Sequence, residues 1–207
     1  VSGAPREHGV RQFFSALRVP AASRFAPLGG LCIGALCGAV YFATAQLWPS
    51  SIAVILAMLA GALLTQESPR ASATRLEVLS QVFYVLIKYN VLMALSAANL
   101  PFPAPPNSAL WLIMICGYGA GRSLLVWLMG SRQEPKAATL SHMDIALALL
   151  IGCAPAALLG LPGLIGLAAA VVSIIVLGRA TRGGAALAPG IAELCFYLGA
   201  QASWSYV

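Results

Sequence analysis

The basic residues outside the apolar stretches of this chain alternate from connector to connector, and this constrains the fold more than any other feature. Arg6, Arg11, Arg18 and Arg24 precede the first apolar run. Arg70 and Arg75, then Arg132 and Lys136, then Arg179 and Arg182 fall in every second connector after it. The connectors between, around Trp48 to Ser51, Asn99 to Ser108 and Gly160 to Gly163, hold none. Short loops on the cytoplasmic face of a membrane collect Lys and Arg, and translocated loops avoid them. The pattern predicts an all-α integral membrane protein with about seven transmembrane helices, its N-terminus cytoplasmic and its C-terminus outside.

Composition agrees. With 207 residues, 60% of them hydrophobic and 9% charged, the chain has too little polar surface to cover a water-soluble globule. The lipid bilayer is the expected partner. The net charge of +6 would favour a polyanion in a soluble protein. Here ten of the twelve basic residues follow from the loop alternation, so nucleic acid is not an expected partner. Cys32, Cys37, Cys116, Cys153 and Cys195 lie in apolar runs without a C-x-x-C pair or a neighbouring His, and read as small core hydrophobes. Val1 to Arg24 lacks the uninterrupted apolar run of a signal peptide.

Two regions follow. Residues 1–27 form a cytoplasmic segment in which Val10, Phe13, Phe14 and Leu17 recur at helical spacing opposite Arg11, Ser15 and Arg18. That spacing predicts a short interfacial amphipathic helix ending before Pro20, against the alternative of a polar tail with two phenylalanines. Residues 28–207 form a single domain with apolar runs at 28–47, 51–65, 78–99, 109–130, 143–159, 163–178 and 186–206. Pro155 interrupts the fifth run, and Gly160 to Gly163 separate it from the sixth. One bent span there would break the charge alternation, so two helices joined by a tight turn are expected. Gly30, Gly34 and Gly38, and Gly117 with Gly121, recur every fourth residue and predict close helix packing. Ser141 and Asp144 form an S-x-x-D capping box, which makes His142 a surface residue. Pro101, Pro103, Pro105 and Pro106 stiffen an outer loop.

Three charges fall inside apolar runs: Lys88, Arg122 and Glu193. Such charges are costly and are either functional or paired. Counted at 1.5 Å per residue from the cytoplasmic ends, Arg122 and Glu193 lie at similar depth, roughly 10–12 Å, and are expected to form a buried ion pair. Lys88 shares a helix face with Tyr84 and Gln81. Two readings stand for it. It snorkels or reaches backbone carbonyls, or it forms an intramembrane anion site for a lipid or substrate phosphate. Six carboxylates and two histidines in the whole chain leave few candidates for acid–base or metal chemistry. Glu67 and Glu77 are the catalytic candidates, and no metal site is expected.

The stretch Phe13-Phe14-Ser15-Ala16-Leu17-Arg18-Val19-Pro20, followed by Pro27-Leu28-Gly29-Gly30-Leu31-Cys32-Ile33-Gly34-Ala35, resembles the opening of the cobalamin synthases, the adenosylcobinamide-GDP ribazoletransferases. Arg75-Leu76-Glu77-Val78-Leu79 is similar to that family's A-L-E-I-M step, and Gly121-Arg122 to the end of one of its spans. The run from Gly183 to Leu194, with Glu193, is similar to its G-G-x-T-G-D-x-L-G-A-x-x-E-L ending. The resemblance implies a bacterial inner membrane protein. It implies transfer of ribazole or its phosphate onto adenosylcobinamide-GDP, with loss of GMP and with magnesium held by an acidic motif after the second span. At that position this chain reads Leu64-Thr65-Gln66-Glu67-Ser68-Pro69-Arg70-Ala71-Ser72, without aspartates. Carboxylate-held magnesium stabilises developing phosphate charge by several kcal/mol, so its loss removes the family mechanism. The expectation is a catalytically degenerate relative, with no cofactor, that serves as a structural or accessory subunit beside other membrane subunits or a second copy of itself. The alternative is an active, magnesium-dependent ribazoletransferase.

Overall fold

In the computed structural model, residues 24–65, 75–97, 108–131, 140–180 and 188–204 are described. They form seven α-helices: α1 (Ala26–Thr44), α2 (Ser50–Thr65), α3 (Arg75–Leu95), α4 (Ser108–Ser131), α5 (His142–Cys153), α6 (Leu161–Ala180) and α7 (Ala188–Trp204). Each of the seven apolar runs becomes one helix, and the described residues contain no strand. The amphipathic N-terminal segment and the proline-rich loop lie outside the described residues, as does Glu67.

Local chemistry sets the helix ends. Pro27, Pro162 and Pro189 sit in first turns, where a missing N–H breaks no helical bond. Ser141 caps α5 as the sequence predicts: its hydroxyl accepts from the Asp144 N–H at 3.2 Å, and the Asp144 carboxylate accepts from the Ser141 N–H at 3.1 Å. His142 is exposed. Pro155 cannot donate to the preceding turn, and the α-helix gives way to a 3-10 segment over Ala154–Leu159. Gly160 follows with φ +66°, and α6 starts directly after it. A methyl on Gly163 would strike the carbonyl of Ala156, so the chain folds back on itself and the tight turn is present.

Helix α4 is the centre of the bundle, packed against α1, α5, α6 and α7, with 78% of its most apolar window buried. Glycines let α1 reach it. Ideal methyls on Gly30 and Gly34 would lie 2.5 Å from the Tyr118 carbonyl and 2.6 Å from that of Met114, and one on Gly38 would strike the Trp111 ring. Rising numbers on α1 meet falling numbers on α4, so the two helices are antiparallel. Trp111 Nε1 donates to the Ala35 carbonyl at 3.2 Å across this contact. Gly117 lies under the Tyr197 ring and Gly121 2.7 Å from the Pro189 carbonyl by the same measure, which sets α7 antiparallel to α4. Gly119 and Gly152 bring α5 against α4 in the same sense as Gly130 and Ile145, again antiparallel. Odd-numbered helices α1, α5 and α7 thus all oppose α4, the directions that the alternation of basic connectors requires. Arg24, before α1, and Asp144, at the start of α5, meet at 3.3 Å, which ties together two helix ends of like direction.

Among the described residues, four stretches are long and apolar enough to cross a membrane: Ala26–Thr44, Val78–Leu95, Ser108–Ser131 and His142–Leu159. Ser50–Thr65 and Leu161–Leu177 are apolar but shorter. A helix of 16 residues such as α2 rises about 24 Å, less than the roughly 30 Å of a bilayer core. The five cysteines are free thiols, and the expectation that all are core residues fails at Cys32, which is exposed on α1. It lies two residues after Gly30 and two before Gly34, off the glycine stripe that faces α4.

Candidate functional site

Helix α3 turns one polar stripe inward, while its Ser80 and Asn90 are exposed. Gln81 and Tyr84 are half-buried and Lys88 is 7% exposed, while Val82, Phe83, Val85, Leu86 and Ile87 between them are exposed. This inverts the pattern of a water-soluble helix, and it follows from a surrounding that welcomes apolar side chains.

At the inner end of that stripe the Lys88 Nζ lies 2.8 Å from Glu193 Oε1 of α7. It also donates to the Tyr118 hydroxyl of α4 at 3.4 Å. The ammonium stands 4.9 Å from the centre of the Tyr118 ring and 5.6 Å from that of Tyr84, within reach of both aromatic faces. Tyr197, one turn after Glu193, donates its hydroxyl to the same Oε1 at 2.8 Å. Glu193 is 4% exposed and Tyr197 fully buried. Two opposite charges are therefore removed from solvent together, each held by a phenol as well as by the other.

The glycines of α4 make the room. The Tyr197 ring occupies the space that a side chain at Gly117 would take, and the Glu193 Cβ would be 3.7 Å from a methyl at Gly121. On the other side, Gly61 of α2 receives the Tyr118 hydroxyl. The gap beside Lys88 is lined by Cys37, Ala57, Met58, Leu92, Met114, Tyr118 and Tyr197, and has no space for a water molecule.

Two expectations are corrected here. Glu193 pairs with Lys88, whereas depth counting sets it opposite Arg122. Gly121 is the residue of α4 that faces α7, and the next residue is rotated by about 100° around the helix. The Arg122 Cγ accordingly lies against α1, 2.8 Å from where a methyl on Gly30 would sit. The reading of Lys88 as an anion site loses its free ammonium, because the Glu193 carboxylate already balances that charge. The sequence pattern does not single out Tyr118 or Tyr197. The signal for Tyr197 is its i+4 spacing from Glu193. Tyr118 has none beyond its place between Gly117 and Gly119.

Glu77 falls in the first turn of α3, with its side chain outside the described residues. The carboxylates that are described, Asp144 and Glu193, do not fit a magnesium ion. Asp144 is engaged by its cap and by Arg24, and Glu193 by an ammonium that would repel a second cation. No group of three His, Cys, Asp or Glu side chains with metal-binding geometry occurs among the described residues.

The fold and this site define an all-helical protein of membrane character whose core holds a charge pair. Residues 8–67, which include α1, α2 and the Gly30–Gly34–Gly38 stripe, match the family model of cobalamin-5-phosphate synthase, and the match covers less than a third of the chain. Comparison with curated proteins and with solved structures gives no match.

Proposed function

We propose that the chain is a cobalamin-synthase-like membrane protein that keeps the family's bundle without its catalysis, and acts as a structural or accessory subunit of a membrane assembly. All seven helices cross the bacterial inner membrane, with the N-terminus cytoplasmic and the C-terminus outside. The run of basic connectors supports that orientation, and the antiparallel packing of α4 against α1, α5 and α7 agrees with it. The short helices α2 and α7 cross within the bundle, flanked by longer neighbours.

One observation carries the reading: the buried carboxylate at the centre of the bundle, Glu193, is neutralised by Lys88 and hydrogen-bonded by Tyr197. A group saturated in this way stabilises the bundle and is not available to a divalent ion. The matched segment ends at residue 67, where the chain has Glu67 and no aspartate.

The test is direct. Purified protein in mild detergent is supplied with adenosylcobinamide-GDP and ribazole phosphate, with and without magnesium. The expected result is no cobalamin phosphate at high protein concentration, together with a stoichiometric partner chain or homo-oligomer in gently solubilised membranes. Magnesium-dependent product establishes the alternative, in which Glu67 and Glu77 supply the missing acids. Glu77 at the start of α3, ten residues beyond Glu67, is the observation that favours that second reading.

A further inference from the structure

We propose that α3 is a movable helix and that the Lys88–Glu193 pair is the latch that holds it closed over the bundle. Every other helix contributes glycine to the packing, whereas α3 contains none. Without glycines, its backbone approaches to α2, α4 and α7 are few. Only 22% of its apolar window is buried. Helix α5 has the same low burial, but Gly119 and Gly152 press it directly onto α4, and Ser123 Oγ meets Cys153 Sγ at 3.3 Å. The inward face of α3 has instead an interhelical ion pair, with Leu92 and Leu95 buried beyond it.

Beneath the latch lies the gap floored by the Cys37 thiol and walled by Ala57, Met58, Met114, Tyr118 and Tyr197. Cys37 is 1% exposed, and Lys88 and Leu92 of α3 complete the wall that shuts it off. Rotation or outward tilt of α3 draws Lys88 away from Glu193 and opens this largely apolar gap sideways to the bilayer. With the pair intact, that motion must separate opposite charges in a medium that cannot solvate them. The latch operates whether or not the chain has transferase activity.

Cys37 reports the opening. In a chain whose other four cysteines are replaced by serine or alanine, the rate of reaction with N-ethylmaleimide in membranes is measured for the intact pair, for Glu193→Gln and for Lys88→Met. Loss of either partner should raise the Cys37 rate by on the order of tenfold or more. A second chain keeps only Cys116, which is fully buried in α4 and neighbours Cys153 rather than the gap. Its rate should stay within about threefold of its value with the pair intact, since opening is local. The apolar double variant Lys88→Met with Glu193→Leu, which needs no charge pair, should restore slow Cys37 labelling. Unchanged Cys37 rates in the single variants, a parallel rise at Cys116, or a double variant as reactive as the singles would each overturn the latch.

Discussion

Replacing Glu193 by glutamine leaves the Lys88 ammonium in the bundle core without its counter-charge, and the structure sets the size of the effect. At 2.8 Å and an effective dielectric of about 20, the Coulomb attraction in the pair is about 6 kcal/mol. The desolvation of both groups offsets much of that attraction while the pair is intact. After a single replacement, desolvation of the surviving charge is uncompensated, and the expected loss is about 3–5 kcal/mol. Lys88→Met should cost a similar amount by stranding the carboxylate, although Tyr197 still donates to it. Because the two residues fail as a unit, Lys88→Met combined with Glu193→Gln should recover most of the loss. The assay is unfolding of the purified protein by a denaturing detergent, followed by helical circular dichroism. Arg122→Gln combined with Glu193→Gln serves as the control, and it should recover nothing. Recovery through Arg122, or a Glu193→Gln protein within about 0.5 kcal/mol of the parent, would refute the assignment of the pair.

Gly34→Leu should separate α1 from α4, because even a methyl there meets the Met114 carbonyl at 2.6 Å and the Ile115 Cα at 2.7 Å, both backbone atoms. A loss of about 3 kcal/mol or more in the same unfolding assay is expected, at the upper end of overpacking costs. Gly160→Ala meets no neighbouring atom, so its cost of about 1–3 kcal/mol should come from backbone strain at φ +66° alone. Ser141→Ala removes the cap of α5 and should cost about 1 kcal/mol, whereas Arg24→Gln, at an exposed ion pair, should leave unfolding unchanged.

Much of the bundle can be read along the chain because its determinants are local. Apolar runs, first-turn prolines and the capping box each act within a few residues. The glycine stripe Gly30–Gly34–Gly38 announces a close contact without naming its partner, since absent side chains on one face serve little else in a helix. Pro155 likewise marks the break that takes the form of the 3-10 segment. The pairing of charges is not legible in this way. Counting residues gives a height along a helix, and it sets Arg122 level with Glu193 and Lys88 deeper, yet Lys88 is the residue that meets Glu193.

The sequence by itself determined seven helices, the opposition of α4 to α1, α5 and α7 and the faces where backbones touch, since periodicity and loop charge are carried by neighbours in the chain. Only the tertiary structure decided that Gly121 faces α7 and thereby rotates Arg122 toward α1, leaving Glu193 to Lys88. That choice depends on the azimuth of three helices at once, and each residue advances it by about 100°. An error of one residue in facing exchanges one cation for another, and no pattern within a single helix corrects it.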